Sequence, residues 1–122
     1  MNGLPILDVV FYRTIAGTEP VRDWLRGLLV DDRKIIGEDI KLVQFRWPLG
    51  MPLVRKIEPG LWEVRSDLPN KRIVRVFFTV DGHDMVLLHA FVKKSQHTPP
   101  HELELARKRK GQYLGEIQDE QA

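Results

Sequence analysis

The chain has no cysteine, which excludes disulfides and thiolate metal sites and is compatible with a reducing cytosol. No apolar run approaches the ~20 residues of a membrane span. The first residues lack the basic-then-apolar pattern of a signal peptide, so a cytoplasmic protein without a membrane partner is expected. The four histidines, His83, His89, His97 and His101, lack the helical i, i+4 spacing of a zinc pair. His97 and His101 are four apart, but prolines lie between them. Glycine-rich phosphate loops and serine-nucleophile motifs are also missing, and neither metal nor cofactor is expected. Charge of one sign is in short supply too. A net charge of +2 is too small for a generally sticky polycation.

What is present reads as one soluble domain. At 122 residues there is no length for a second domain, and enough to bury a real core. Hydrophobic residues at 43% and charged residues at 30% fit that class. The core is expected over about residues 7–110, with 115–122 as a frayed tail. Lysine and arginine concentrate between Arg65 and Lys110, whereas acids dominate after Gly115. This asymmetry points to a local anionic partner.

Periodicity supplies the elements. Leu7 to Tyr12 is rich in β-branched and aromatic residues and predicts a first strand. Thr18 is placed to cap a short helix whose stripe is Val21, Trp24, Leu25 and Leu28. Asp31 and Asp32 are placed to cap a second, with Ile35, Ile36, Ile40 and Val43 inward. Trp47 to Pro52 holds two prolines and a glycine and predicts an ordered loop. Three β-type runs follow, Leu61–Ser66, Lys71–Val80 and Met85–Lys94, separated by turns at Pro69-Asn70 and Asp81-Gly82. Ser95 to Thr98 reads as a loop. Thr98-Pro99-Pro100 then opens a C-terminal helix, with threonine as cap and Leu103, Leu105 and Ala106 inward. The expected fold class is α+β, a small antiparallel or mixed sheet of about four strands with an N-terminal helical hairpin and a C-terminal helix.

Alternation along the strands sorts the side chains. Val74, Val76, Phe78 and Val80 form an apolar face for the helical hairpin. Arg75, Phe77 and Thr79 face the other way. Glu63 and Arg65 share one face of their strand, and Leu87, His89, Phe91 and Lys93 share one face of theirs. Aligning the apolar faces puts Glu63, Arg65, Arg75, His89 and Lys93 on the opposite surface, with Phe77 and Phe91 among them. Cations interleaved with aromatic rings suit RNA, because guanidinium and ammonium groups pair with phosphates and bases stack on rings. Plainer readings compete. Glu63 could pair with a neighbouring arginine on a solvated face, each such surface pair contributing only ~0–1 kcal/mol. His89 could be a hydrogen-bonded structural histidine. Lys93 and Lys94 could guard a strand edge, and Arg107 to Lys110 could be a solvated helix face.

Three segments carry a family resemblance: Gly60-Leu61-Trp62-Glu63-Val64-Arg65-Ser66, Arg75-Val76-Phe77-Phe78, and Leu87 through Pro99 with its His-x-Phe-x-Lys-Lys core. With Phe45 to Pro52 upstream and Glu104 to Arg109 downstream, they resemble the phage-derived, HigB-like branch of the RelE/ParE toxin superfamily over about residues 7–110. The resemblance implies a RelE-like fold and the toxin of a type II toxin–antitoxin module. HigB- and RelE-like members cleave mRNA on the translating ribosome, so it implies an endoribonuclease (mRNA interferase), RNA-binding, cytoplasmic, and partnered by a helix-turn-helix antitoxin, the ribosome and mRNA. On that basis Arg75 is the expected phosphate clamp. Lys93 or Lys94 is a second phosphate contact or proton donor, and Arg65 steers the RNA backbone. Glu63 or His89 supplies a base, and Lys71, Arg72, Phe77 and Phe91 contact the RNA. Two other functions share the fold: a ParE-like DNA gyrase inhibitor that cleaves nothing, and a degenerate phage-derived binding protein.

Overall fold

The computed structural model describes residues 3–94 and 97–116. Its elements are β1 (Asp8–Phe11), α1 (Pro20–Arg26), α2 (Val30–Arg46), β2 (Val54–Glu58), β3 (Leu61–Leu68), β4 (Arg72–Asp81), β5 (Asp84–Lys93) and α3 (Pro100–Leu114). The five strands form one sheet in the order β1-β5-β4-β3-β2, with β1 parallel to β5 and the rest antiparallel. The fold is the expected α+β arrangement, with one strand more than the sequence suggested. That strand, β2, has only five residues, and Pro52 and Pro59 bracket it.

The even residues of β4 do meet the helical hairpin. Val74, Val76 and Phe78 pack with Val21, Ile36, Ile40 and Val43 in one apolar layer, which Trp24, Leu25, Leu28 and Ile35 extend. The loop after α2 joins this layer through Trp47, whose ring meets Trp62 edge-on at 5.0 Å, while Trp62 stacks on Phe78 at 5.8 Å. Burying each such side chain contributes ~1.5–3 kcal/mol, so this face is the main source of stability.

Helix starts differ from expectation in instructive ways. Thr18 does not cap α1; Glu19 holds that position without a side-chain bond. Thr18 instead shares a 2.7 Å hydroxyl contact with Thr14, closing the preceding turn. Helix α2 begins at Val30, so Asp31 and Asp32 lie inside its first turn, where the partial positive charge of the helix end favours them. Pro99, not Thr98, holds the cap position of α3, and Pro100 is its first residue. The loop expected at Ser95 to Thr98 falls partly outside the described residues, as do residues 117–122 of the expected tail.

Helix α3 decides what the other sheet face can do. Ala106, Leu103 and Tyr113 pack onto Leu61, Phe77, Val86, Leu88 and Phe91 in a second apolar layer. Phe77 is 0% exposed and Phe91 5% exposed. These rings therefore support α3 and are not an open stacking surface, contrary to the sequence expectation. The basic run on α3 is also committed in part. Arg107 donates two bonds to Glu58 Oε1, at 3.0 and 2.7 Å. Arg109 donates to the Leu88 carbonyl at 2.9 Å and lies 5.6 Å from the centre of the Tyr12 ring. Both arginines tie the helix to the sheet.

Candidate functional site

Beyond the reach of α3, one end of this sheet face stays open. A groove of about 570 Å³ lies there, lined by Arg55, Arg65, Lys71, Ile73, Arg75, Lys93 and Lys94. Six of those seven residues are cationic. They come from four strands and a turn, and strand register brings them together. Arg65 is the cross-strand partner of Arg75, Arg75 of Phe91, and Ile73 of Lys93. Arg55 on β2 is the partner of Glu63. Lys71 sits in the β3–β4 turn with φ of 59°, a left-handed backbone that costs a non-glycine residue ~1–2 kcal/mol.

Glu63 organises the groove from below. It is 1% exposed, and its Oε2 lies 3.2 Å from Arg65 Nη1 and 3.6 Å from Arg75 Nε. A lone buried carboxylate is costly, and the two guanidinium groups compensate it. One negative charge under two arginines leaves the site net positive. Arg75, only 3% exposed, donates from Nη1 to the carbonyl of Val74 at 3.1 Å. Its Nε has no hydrogen-bond partner, and neither has Glu63 Oε1. That Nε is shut off from solvent and lies 3.6 Å from the Glu63 carboxylate beneath the floor.

The groove perturbs its own cations. Burial, followed by the charge of Arg65, pulls the Arg75 pKa below its ordinary value, while Glu63 and Asp67 pull the other way. Lys93 is lowered by burial first and then by Arg75. Both shifts come first from burial and second from a neighbouring arginine. An anion entering the groove would relieve both. Phosphate is the natural candidate, because planar guanidinium forks match its oxygens and lysines add point charges.

Not every expected residue arrives here. Glu63, Arg65, Lys71, Arg75, Lys93 and Lys94 converge. Arg72 does not: it turns to the other face and grips Asp32 of α2 with two bonds, at 2.6 and 3.0 Å. His89 is also elsewhere. Its Nε2 lies 2.6 Å from Glu102 Oε1, and Arg109 Nη1 lies 3.4 Å from its Nδ1, both on α3. The reason is its place along β5: His89 pairs with Phe77, two residues further along than the Arg75–Phe91 pair, where α3 covers the sheet. β5 carries one extra residue between the partners of Phe77 and Phe78. Leu87 therefore joins the hairpin face, while His89 and Phe91 stay together on the α3 face with their rings stacked at 5.7 Å. Arg55 was absent from the sequence expectation because β2 was. The signal was a five-residue run, Val54-Arg55-Lys56-Ile57-Glu58, ending at a Pro59-Gly60 turn immediately before β3.

A family model described as Phage derived protein Gp49-like (DUF891) matches residues 23–111, well over half of the chain. The chain belongs to this Gp49-like family. The matched span runs from α1 into α3 and contains every residue that lines the groove. A search of curated proteins gives no match. Among the described residues no helix is long and apolar enough to cross a membrane, and no group of three or more potential ligands could hold a metal ion.

Proposed function

We propose that this Gp49-like protein is the toxin of a type II toxin–antitoxin pair and that it cleaves mRNA on the ribosome. The family's association with toxins of such pairs supports the first part. The observation that carries the second is the convergence of six cations on one groove, with Arg75 held over Glu63 at its floor beside Arg65. Such a site suits a phosphodiester whose negative charge grows during reaction.

In the proposed reaction the ribose 2′-oxygen attacks the adjacent phosphorus. A 2′-O–P bond forms and the P–O5′ bond breaks, leaving a 2′,3′-cyclic phosphate and a 5′-hydroxyl. Arg75 and Arg65 hold the non-bridging oxygens, and Arg55 and Lys94 anchor flanking phosphates. Lys93, with its lowered pKa, protonates the departing O5′. The 2′-hydroxyl proton leaves to water in the open groove. Glu63 is a positioning residue here: two arginines hold it beneath the floor. His89 and Arg72 take no part, since each is bound to a carboxylate away from the groove. A helix-turn-helix antitoxin that silences the protein would cover these cations.

The test is purified protein added to translating ribosomes, with the ends of the message mapped. New 5′-hydroxyl ends opposite 2′,3′-cyclic phosphates are expected. Intact messages under conditions that arrest growth would overturn the reading, and inhibited DNA supercoiling with intact RNA would favour the gyrase alternative.

A further inference from the structure

A second hollow of about 240 Å³ adjoins the cationic groove and shares two of its walls, Arg55 and Lys93. Its remaining lining is different in kind: Ile57, Leu103, Thr98 and His97. Ile57 and Leu103 belong to the apolar layer under α3 and give the hollow a greasy floor. Thr98 and His97, just before α3, give it a polar rim. The groove beside it has one apolar lining residue among six cations, whereas the hollow has two apolar residues among its six.

Resting on the RNA reading above, we infer that this hollow is a nucleoside subsite, which takes one unpaired base next to the clamped phosphate. A base is a flat apolar surface with polar edges. It needs a face to lie on and a few hydrogen-bonding groups around its rim, and the hollow offers both. The volume matches roughly eight waters at ~30 Å³ each, space for one ring system. A base that enters the hollow is unpaired and turned out of its stack into the protein. This also answers a question raised by the fold. Phe77 and Phe91 are buried and cannot stack on bases. The apolar contact that a base requires is supplied instead at the edge of the α3 layer, next to the phosphate site.

The experiment uses the full chain and two non-cleavable probes of equal charge: a labelled 2′-O-methyl hexauridylate, and a 2′-O-methyl ribose-phosphate hexamer with no bases. Fluorescence anisotropy gives a Kd for each at one salt concentration. The base-bearing strand is expected to bind about ten-fold more tightly, the effect of one stacked base. Thr98→Trp, which fills the hollow from its rim, and His97→Ala are each expected to bring the ratio toward one, with thermal melts showing that both variants fold. Control variant Glu38→Gln, on the exposed side of α2, keeps the wild-type ratio. Equal affinities for the two probes would overturn the subsite while leaving the phosphate groove standing. A base preference untouched by Thr98→Trp and by His97→Ala would overturn it equally. If neither probe binds, alone or with ribosomes present, the RNA reading itself fails and the subsite with it.

Discussion

Arg72 and Arg75 stand three residues apart on β4, point to opposite faces of the sheet, and each lies beside a buried carboxylate. Arg72 meets Asp32 through two hydrogen bonds, at 2.6 and 3.0 Å, and also donates from Nε to the Pro69 carbonyl. Its fork is satisfied, and the pair ties β4 to the first turn of α2. Arg75 meets Glu63 only at 3.6 Å, leaves Nε unpaired, and shares its carboxylate with Arg65. The first pair closes on itself. The second keeps binding capacity in reserve. Nothing in the sequence separates the two arginines except parity along the strand, and parity decides which one faces the other cations.

The sharpest way to break the comparison is Arg75→Ala. Loss of a donor aimed at developing charge is expected to lower single-turnover mRNA cleavage by about 10²–10³-fold. Because it leaves the buried Glu63 with Arg65 alone, the single variant is expected to be destabilised. The double variant Glu63→Gln/Arg75→Met should regain stability without regaining cleavage, which separates folding from chemistry. A double variant that cleaved normally would leave Arg75 no role.

Lys93→Ala is expected to cost about 10²-fold, the usual scale for a lost proton donor. The sign of the pH effect follows from the lowered pKa of Lys93. Only the protonated amine can donate, so cleavage falls as pH rises through that pKa, and it falls earlier than an ordinary lysine would dictate. Lys93→Arg should move the fall to higher pH. A pH–rate profile of the two proteins on one message decides this, and coincident profiles would remove Lys93 from the proton path.

For the satisfied pair the expectation reverses. Asp32→Asn should lower the melting temperature by ~5 °C and leave cleavage per folded molecule unchanged. The Arg72 hydrogen bond holds the Asp32 carboxyl below its ordinary value. Its contribution to stability is therefore fully present above the unfolded-state pKa of aspartate and is lost as pH falls through the lowered folded value. Thermal melts from neutral to acid pH should show that part of the acid sensitivity disappear in the variant.

The smallest effect belongs to Lys71. Replacing it with glycine relieves a left-handed backbone but removes one cation from the groove. Stability should hold or rise slightly. The slope of log affinity for RNA against log salt should become shallower by about 1. Lower stability with an unchanged slope would mean that Lys71 is held in that turn for structural reasons.

Much of this organisation was legible in the residues. Alternation in β4 separates Val74, Val76 and Phe78 from Arg75 without any structure, because an apolar face has to be covered. Glu63, Arg65 and Arg75 were brought together by the same parity. Three features were hidden. Helix α3 covers Phe77 and Phe91 through a thin contact, Leu103, Ala106 and Tyr113, which the surrounding charges obscure in sequence. The bulge in β5 adds one residue and moves Leu87 to the hairpin face, away from His89 and Phe91, and nothing local to Leu88 announces it. Strand β2 is too short to show a period, so Arg55 entered the site only through its register with Glu63. Fold came from patterns several residues long, whereas the site depended on single-residue register.

The most direct measurement follows the arginine Nε–H signals by NMR in ¹⁵N-labelled protein as non-cleavable 2′-O-methyl hexauridylate is added. The Arg75 and Arg65 signals should move together and saturate, while Arg72, locked to Asp32, stays in place. Movement of Arg72 or of the α3 arginines, with Arg75 unmoved, would contradict the assignment of the groove as the phosphate site.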